Sequence, residues 1–289
     1  MSGKQERQRK LARERYIRQQ QRRIERARRI RQRATIGGTA CAVVAIAVGA
    51  YFLASSGPSS KAASSARSTP ASPSASATPS ATPSIPPASP LATVPAKPPA
   101  TVASHCTYTK SGTAARKVSP PPAKPDSSAK SKATVTTNRG TIVIDLLNKW
   151  APCTVNSFVS LARQGFYNNT PCPRVTSSGI YVLQCGDPTG TGAGGPGYKF
   201  ANENTKGATY PAGTLAMANS GGTDSNGSQF FIVYAGGGLS PSYTPFGVVA
   251  KGLDIVRKVA EAGNNGSNPA GGGQPTEKVT IESVKISSY

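Results

Sequence analysis

Asn226-Gly227-Ser228-Gln229-Phe230-Phe231, preceded by Leu215-Ala216-Met217-Ala218-Asn219, is the part of the sequence on which the interpretation of the fold depends. Two apolar runs separated by a loop of Ser, Gly, Thr, Asp and Asn are typical of two strands that meet at a turn. An amide-bearing Gln beside two aromatic residues, and an Asn after an apolar run, also offer polar groups at the edge of an apolar pocket. The stretch therefore has two interpretations, a plain hairpin in a β-rich core and one side of a binding site.

The formal charge of +22 is concentrated towards the N-terminal end of the chain. Residues 1–33 carry 14 Lys and Arg against 3 acidic residues, whereas residues 134–289 carry 11 against 8. A domain that binds nucleic acid carries its basic residues on the folded surface. The C-terminal part is only mildly basic, so we predict no nucleic-acid partner.

Residues 34–54 contain 21 residues without a charge and follow directly after the basic segment. This length is sufficient to cross a hydrocarbon core of about 30 Å at about 1.5 Å per residue. The basic flank predicts a single-pass protein with a cytoplasmic N-terminus, in which residues 1–33 form a helix beside the anionic inner leaflet. A cleaved signal peptide is the alternative, although its basic region would be unusually long. Both interpretations place the C-terminal part outside the cytoplasm.

The region after the apolar segment is rich in Pro, Ala and Ser, with few large apolar residues. Such a composition cannot bury enough apolar surface to order itself. The sequence therefore predicts four parts: a basic cytoplasmic helix at 1–33, a transmembrane helix at 34–54, a disordered linker at 55–133 and one folded domain at 134–289.

Within the predicted domain, short apolar runs alternate with turn signals and leave room for only two helices. Residues 134–147 alternate around a turn signal at 138–140, which is typical of two antiparallel strands. One helix is expected to begin near Pro152 and to stop at Gly165, and a second is expected at 253–260. Many short strands with two isolated helices favour a mainly β fold, a closed or nearly closed antiparallel barrel capped by helices.

Four of the five cysteines lie beyond the apolar segment, and in an exported protein they suggest two disulfides. Three pairings are possible. Cys172 and Cys185 flank a predicted hairpin, which favours a bond between them and leaves Cys106 to Cys153. Four free buried thiols are the alternative.

Metal and histidine chemistry find little support in the sequence. The only His is His105, which lies in the predicted linker. The domain therefore has no His ligand and no Ser-His-Asp triad. We expect neither a metal nor a cofactor.

Four blocks in the predicted domain resemble the signature blocks of cyclophilins, the peptidyl-prolyl cis-trans isomerases. They are residues 184–192 (Gln-Cys-Gly-Asp-Pro-Thr-Gly-Thr-Gly), 197–200 (Gly-Tyr-Lys-Phe), 213–219 (Gly-Thr-Leu-Ala-Met-Ala-Asn) and 226–231. The resemblance covers about residues 134–289 and implies a closed eight-stranded antiparallel barrel capped by two helices. The layout of basic helix, span and linker resembles membrane-anchored bacterial members.

The resemblance implies a monomeric enzyme that isomerises X-Pro bonds in exported, proline-containing polypeptides. Arg174 then corresponds to the catalytic arginine, with Gln184 beside it. The implied substrate-binding residues are Tyr181, Val182, Met217, Ala218, Asn219, Gln229, Phe231, Leu239 and Tyr243.

The sequence also departs from the family pattern near the implied catalytic arginine. Cys172-Pro173-Arg174 stands where the family has Phe-His-Arg, and about two extra residues separate Arg174 from Gln184. These departures support the alternative of a non-catalytic peptide-binding module or holdase on a membrane tether.

Overall fold

The computed structural model describes residues 85–88, 90–95, 102–268 and 271–288. The predicted basic helix at 1–33 and the predicted span at 34–54 lie outside these ranges. Within them, no helix has the length and apolar character needed to cross a membrane. The described elements are β1 (Thr109–Lys110), β2 (Ser131–Thr137), β3 (Gly140–Leu146), α1 (Pro152–Arg163), β4 (Thr170–Pro171), β5 (Arg174–Val175), β6 (Val182–Cys185), β7 (Tyr198–Lys199), β8 (Thr214–Met217), β9 (Phe230–Val233), β10 (Pro245–Lys251), α2 (Leu253–Glu261) and β11 (Thr280–Ser288).

Nine of these strands form one antiparallel sheet in the order β4-β11-β2-β3-β10-β8-β9-β6-β5, and β1 pairs separately with β7. The mainly β fold with two helices is as predicted, but the prediction of a closed eight-stranded barrel is wrong. The edge strands β4 and β5 are two residues long and consecutive in the chain, joined only by Cys172 and Pro173. β4 pairs with β11 and β5 pairs with β6. The sheet therefore curls, and its two edges are connected by a piece of chain containing a proline, which has no N–H to donate.

The first hairpin follows the alternation seen in the sequence. Thr137 lies opposite Gly140, which leaves a two-residue turn between β2 and β3. Every second residue of β2 is buried, and Ile142 and Ile144 of β3 are buried on the same side. This period of two is expected of a strand that packs one face on a core.

Helix α1 closes one side of the core. The Glu203 carboxylate accepts hydrogen bonds from the backbone N–H groups of Cys153 (3.1 Å) and Thr154 (2.7 Å), which have no partner inside the helix. Phe158 on the same helix contacts three core rings at centroid distances of 5.1 to 5.6 Å. Those rings belong to Tyr167, Phe230 and Phe246.

Residues 106–119, which we call the strap, lie against the domain rather than apart from it. Cys106 is bonded to Cys153 of α1. Cys172, in the connection between β4 and β5, is bonded to Cys185 at the end of β6. This is the pairing that the sequence favours. The predicted linker boundary at 133 therefore differs from the structure, in which β2 begins at Ser131.

The strap is held at both ends by contacts with α1 and the turn after it. The Tyr108 hydroxyl donates to the Cys153 carbonyl oxygen at 2.8 Å. Arg116 donates to the carbonyl oxygens of Phe166 (2.9 Å) and Asn169 (3.3 Å) beyond the end of α1. These contacts give a segment with few large apolar residues a fixed position that its composition does not predict.

Candidate active site

One row of the curled sheet brings the implied catalytic residues together. Arg174 on β5 lies opposite Gln184 on β6, Gln184 lies opposite Phe231 on β9, and Phe231 lies opposite Ala216 on β8. Residues directly opposite one another share a face of the sheet. The next row lies on the other face, in the core, and consists of Val175, Leu183, Ile232 and Leu215.

Arg174 is half-buried, and hydrogen bonds hold its side chain in place. Its Nε donates to the Gly271 carbonyl oxygen at 2.9 Å, and its Nη1 donates to Gln184 Oε1 at 3.3 Å. Burial lowers the pKa of Arg174, and the nearby Tyr243 hydroxyl acts in the opposite direction. A guanidinium stays protonated at neutral pH in spite of such a shift. The site therefore contains a permanent cation whose plane is fixed.

A chain of amide hydrogen bonds continues from this cation. Gln184 Nε2 donates to Gln229 Oε1 at 2.9 Å. Gln229 Nε2 then donates to the carbonyl oxygens of Gly192 (3.1 Å) and Gly194 (3.0 Å). The two glutamines that the resemblance implies are thus brought together beside Arg174, and their orientation depends on the loop at 186–197.

Asp187 organises that loop. Its buried carboxylate accepts hydrogen bonds from the backbone N–H groups of Thr189 (2.8 Å), Gly192 (2.8 Å) and Gly194 (3.0 Å). Burial alone would raise the pKa of Asp187, but the hydrogen bonds from Thr189, Gly194 and Gly192 together outweigh it, so the pKa is lowered. The ionised form is therefore the one that the folded state stabilises.

We predict that Asp187→Asn lowers the free energy of unfolding by about 2 kcal/mol at pH 7, because an amide nitrogen then faces backbone donors. The carboxyl has a lowered pKa when folded, so its contribution is present above the unfolded pKa and is lost as the pH falls through the folded pKa. Urea denaturation should show a difference between wild type and variant that shrinks below about pH 4. Asp224→Asn, in an exposed loop, is the control. If Asp187→Asn differed from wild type in free energy of unfolding by the same amount at pH 7 as below about pH 4, the prediction would be contradicted.

An apolar pocket lies on the same face of the sheet as the row. Val182 and Phe231 are buried there, and Ala218, Leu239 and Tyr243 pack against them. The rings of Phe231 and Tyr243 meet edge to face at a centroid distance of 5.2 Å. Five of the implied substrate-binding residues thus belong to one cluster, whose apolar character suits contact with a small apolar ring.

Two implied residues lie elsewhere. Met217 is buried in the main core, and Tyr181 packs against that core with its ring 6.0 Å from that of Tyr234. Adjacent residues of a strand point to opposite faces, so Met217 is separated from Ala218, and Tyr181 is separated from Val182. The signature blocks alone do not make this distinction.

Asn219 positions the pocket wall through its side chain. Its Nδ2 donates to the Ser242 carbonyl oxygen at 2.8 Å, and its Oδ1 accepts from the Gly221 N–H at 3.1 Å. It thereby joins the loop after β8 to the loop that carries Tyr243.

Five residues of this cluster were not identified from the sequence: the buried Tyr210, Ala216 and Val233, and the partly buried Ile180 and Ala208. Tyr210 donates to the Tyr243 carbonyl oxygen at 2.7 Å and accepts from the Tyr243 N–H at 3.0 Å. Ala216 and Val233 share the cluster. Strand alternation from Ala218 and Phe231 was a usable signal for Ala216 and Val233, whereas nothing in the sequence indicated Tyr210.

The extra residues after Arg174 leave the site geometry intact. The Thr176 N–H donates to the Val182 carbonyl oxygen at 3.0 Å, so pairing resumes at once and the additional residues form a loop at 177–181. Gly179 in that loop has φ of +73° and its carbonyl oxygen accepts from the Gly238 N–H at 3.0 Å. The insertion thus contacts the segment before Leu239 without shifting Arg174 from its place opposite Gln184.

Comparisons with known proteins agree with this arrangement. Residues 132–286 match the model of the family described as cyclophilin type peptidyl-prolyl cis-trans isomerase/CLD. The "Probable peptidyl-prolyl cis-trans isomerase B" of Mycobacterium tuberculosis is 44% identical over 209 residues, which cover 66% of this chain and 67% of that protein. The protein of the same name from Mycobacterium leprae is 45% identical over 207 residues, covering 66% and 69%.

A shorter relative and a solved structure are similar over the domain. The human "Peptidyl-prolyl cis-trans isomerase-like 1" is 40% identical over 162 residues, which cover 54% of this chain and 93% of that protein. A crystal structure of a cyclophilin type isomerase from Cryptosporidium parvum is 29% identical with a TM-score of 0.49, covering 56% of this chain and 99% of that one.

Proposed function

The chain belongs to the cyclophilin family and is a cyclophilin-type peptidyl-prolyl cis-trans isomerase, and from this premise we propose that it isomerises X-Pro bonds in exported polypeptides. The observation that carries the proposal is the row that joins Arg174, Gln184 and Phe231 on one face of the sheet. This reaction needs a hydrogen-bond donor for the proline nitrogen, amide side chains for the substrate backbone and an apolar pocket for the proline ring.

Amide resonance gives the X-Pro bond a rotational barrier of about 18–20 kcal/mol. In the transition state the resonance is lost and the proline nitrogen becomes pyramidal and basic. Arg174 donates a hydrogen bond to that nitrogen, which stabilises the twisted amide more than the planar one. The pocket around Phe231 holds the proline ring while the preceding carbonyl rotates. Gln184 and Gln229 offer amide groups to the backbone beside the rotating bond.

The assay for this function follows an Ala-Pro peptide by exchange NMR, which reports cis-trans interconversion without a coupled protease. We expect the full chain to accelerate interconversion, and a non-catalytic binding module would shift the peptide resonances without changing the exchange rate. The pairing of Arg174 with Gln184 across the loop at 177–181 supports turnover.

We also propose that the protein is a monomer in the cell membrane, with a cytoplasmic N-terminus and an extracytoplasmic catalytic domain. Support comes from the uncharged residues 34–54 next to a basic flank, and from two disulfides, which persist in oxidising compartments. The basic segment would lie at the anionic inner leaflet.

Protease treatment of intact cells that express a doubly tagged chain tests this topology. We expect loss of the C-terminal tag, protection of the N-terminal tag, and retention of the chain in the membrane fraction after carbonate extraction. A soluble exported form that lacks residues 1–54 would instead support the cleaved signal peptide.

A further inference from the structure

The Arg174 side chain is held partly by a segment that does not belong to the sheet. Its Nε donates to the carbonyl oxygen of Gly271, which lies in the connection between α2 and β11. The described parts of this connection are residues 262–268 and 271–279, which we call the glycine loop because five of them are glycines. The direction of the guanidinium therefore depends on how the glycine loop is held.

The glycine loop is paired with β5 at the residue that follows Arg174. The Val175 N–H donates to the Gly273 carbonyl oxygen at 2.8 Å, and the Gly273 N–H donates to the Val175 carbonyl oxygen at 3.1 Å. Gly272 has φ of +71°, and a Cβ placed there would overlap the Val175 carbonyl oxygen. Glycine at this position therefore accommodates both the backbone conformation and the close approach to β5.

One exposed side chain joins the two halves of the glycine loop. Asn265 Oδ1 accepts hydrogen bonds from the backbone N–H groups of Ser267 (3.1 Å) and Gln274 (2.9 Å). The Asn265 N–H also donates to the Gln274 carbonyl oxygen at 3.1 Å. Both backbone polar groups of Gln274 are thus paired with Asn265, directly after the glycine that pairs with β5.

The space around Asn265 Oδ1 is narrow. A Cβ placed at Gly273 would overlap this oxygen, so the carboxamide lies directly against the backbone that contacts β5. The hydrogen bonds given above for Asn265 all stay inside the glycine loop. Any effect of this side chain on the reaction must therefore pass through the loop to Arg174.

We propose that Asn265 is a positioning residue for the isomerisation. It holds the glycine loop so that the Gly271 carbonyl oxygen fixes the plane of the Arg174 guanidinium. Loss of the Asn265 carboxamide should therefore slow the chemical step and leave substrate binding unchanged. The inference rests on the proposed isomerase function, and a measurement on Arg174 itself separates the failure of one from the failure of the other.

The kinetic test compares three variants of the full chain by exchange NMR on an Ala-Pro peptide. Asn265→Ala should lower kcat about tenfold, with KM within about twofold of wild type. Asn265→Asp keeps an oxygen that accepts from the same N–H groups, so its kcat should stay within about threefold of wild type. Thr276→Ala, an exposed position in the glycine loop, is the control and should keep the wild-type kcat.

Two kinetic outcomes would overturn the proposal. One is an equal kcat in Asn265→Ala and Thr276→Ala. The other is a loss in Asn265→Asp as large as that in Asn265→Ala, because the oxygen acceptor would then not be what matters.

A double variant shows whether Asn265 acts through Arg174. In the Arg174→Ala background the guanidinium is absent, so adding Asn265→Ala should change the residual kcat by less than about twofold. A further tenfold loss in the double variant would reveal a general structural effect and refute the positioning role.

The Arg174 Nε–H group provides a readout that does not need turnover. Its resonance in a ¹H–¹⁵N spectrum is the side-chain signal that disappears in Arg174→Ala. Because its hydrogen bond to Gly271 depends on the glycine loop, this signal should shift or broaden in Asn265→Ala and stay unchanged in Thr276→Ala. An unchanged signal in Asn265→Ala would rule the proposal out.

The same signal separates the two failures. If wild type accelerated no peptide, the isomerase function would fail, and the Nε–H signal would still decide whether Asn265 holds Arg174. If wild type accelerated the peptide and Asn265→Ala changed neither kcat nor the signal, the function would stand and the positioning role would fail.

Discussion

Replacing Arg174 by alanine should lower kcat/KM for an Ala-Pro peptide by about 100- to 1000-fold, the usual loss when one transition-state donor is removed. The proposed role of the guanidinium is to donate to the reacting nitrogen, and its position is fixed by Gly271 and Gln184. Arg174→Lys should recover only a small part of the activity, since the charge is kept but the planar fork of donors is not. Exchange NMR at saturating and limiting peptide separates the loss in kcat from any change in KM.

The same substitution should have little effect on folding. Arg174 lies on an edge strand whose backbone pairing with Gln184 does not need the side chain, so the free energy of unfolding should change by less than about 1 kcal/mol. Arg163→Ala, at an exposed position in the last turn of α1, is the matched control and should keep full activity. Wild-type activity in Arg174→Ala would rule out the assigned role.

Removing the disulfide at the active site should affect both stability and turnover. In Cys172→Ala/Cys185→Ala, loss of a 13-residue cross-link should lower the free energy of unfolding by about 3 kcal/mol. Cys172 is two residues before Arg174, and Cys185 directly follows Gln184. Because β5 pairs with β6 over only two residues, the bond also holds Arg174 opposite Gln184. We therefore expect a lower kcat under conditions in which the variant is fully folded.

The second disulfide provides the control. Cys106→Ala/Cys153→Ala frees the strap and loses a 47-residue cross-link, yet it lies apart from the catalytic row. Its kcat for a blocked Ala-Pro dipeptide should stay close to that of wild type. If both double variants lost kcat to the same extent, the effect would be a general loss of stability, and the positioning role of Cys172 and Cys185 would be refuted.

Much of the domain could be predicted because its local signals agree with its tertiary structure. The hairpin at β2 and β3 has both alternation and a turn signal, and α1 begins at Pro152 and ends two residues before Gly165. The open, curled form of the sheet could not be predicted in the same way. It depends on Pro173 and on pairing between strands distant in sequence, which local patterns do not encode.

The candidate site also contains some residues that the sequence predicts and others that it does not. The family resemblance implied Arg174, Gln184, Gln229 and Phe231, which the structure brings together. The signature blocks did not separate residues by the face of the strand, so Met217 was assigned to the pocket although it lies in the core. Contacts made by loops, such as Tyr210 with Tyr243, have no local sequence signal.

The strap was predicted only through the favoured bond from Cys106 to Cys153, and its other residues were assigned to the disordered linker for a related reason. Its composition is that of a linker, and a few side chains hold it in place, chiefly Cys106, Tyr108 and Arg116. The composition of a segment does not reveal a few isolated anchoring residues. A segment that three side chains hold in place therefore has the same predicted disorder as a segment with no such contacts.

The bond between Cys106 and Cys153 also determines which cuts by a protease would shed the domain. A single cleavage anywhere from residue 107 to residue 152 leaves both fragments joined through sulfur, so the domain stays attached to the chain that precedes it. A cleavage before Cys106 releases the domain together with its strap. In an oxidising compartment a cut in the strap therefore does not release the domain, and the point of release lies upstream of the strap.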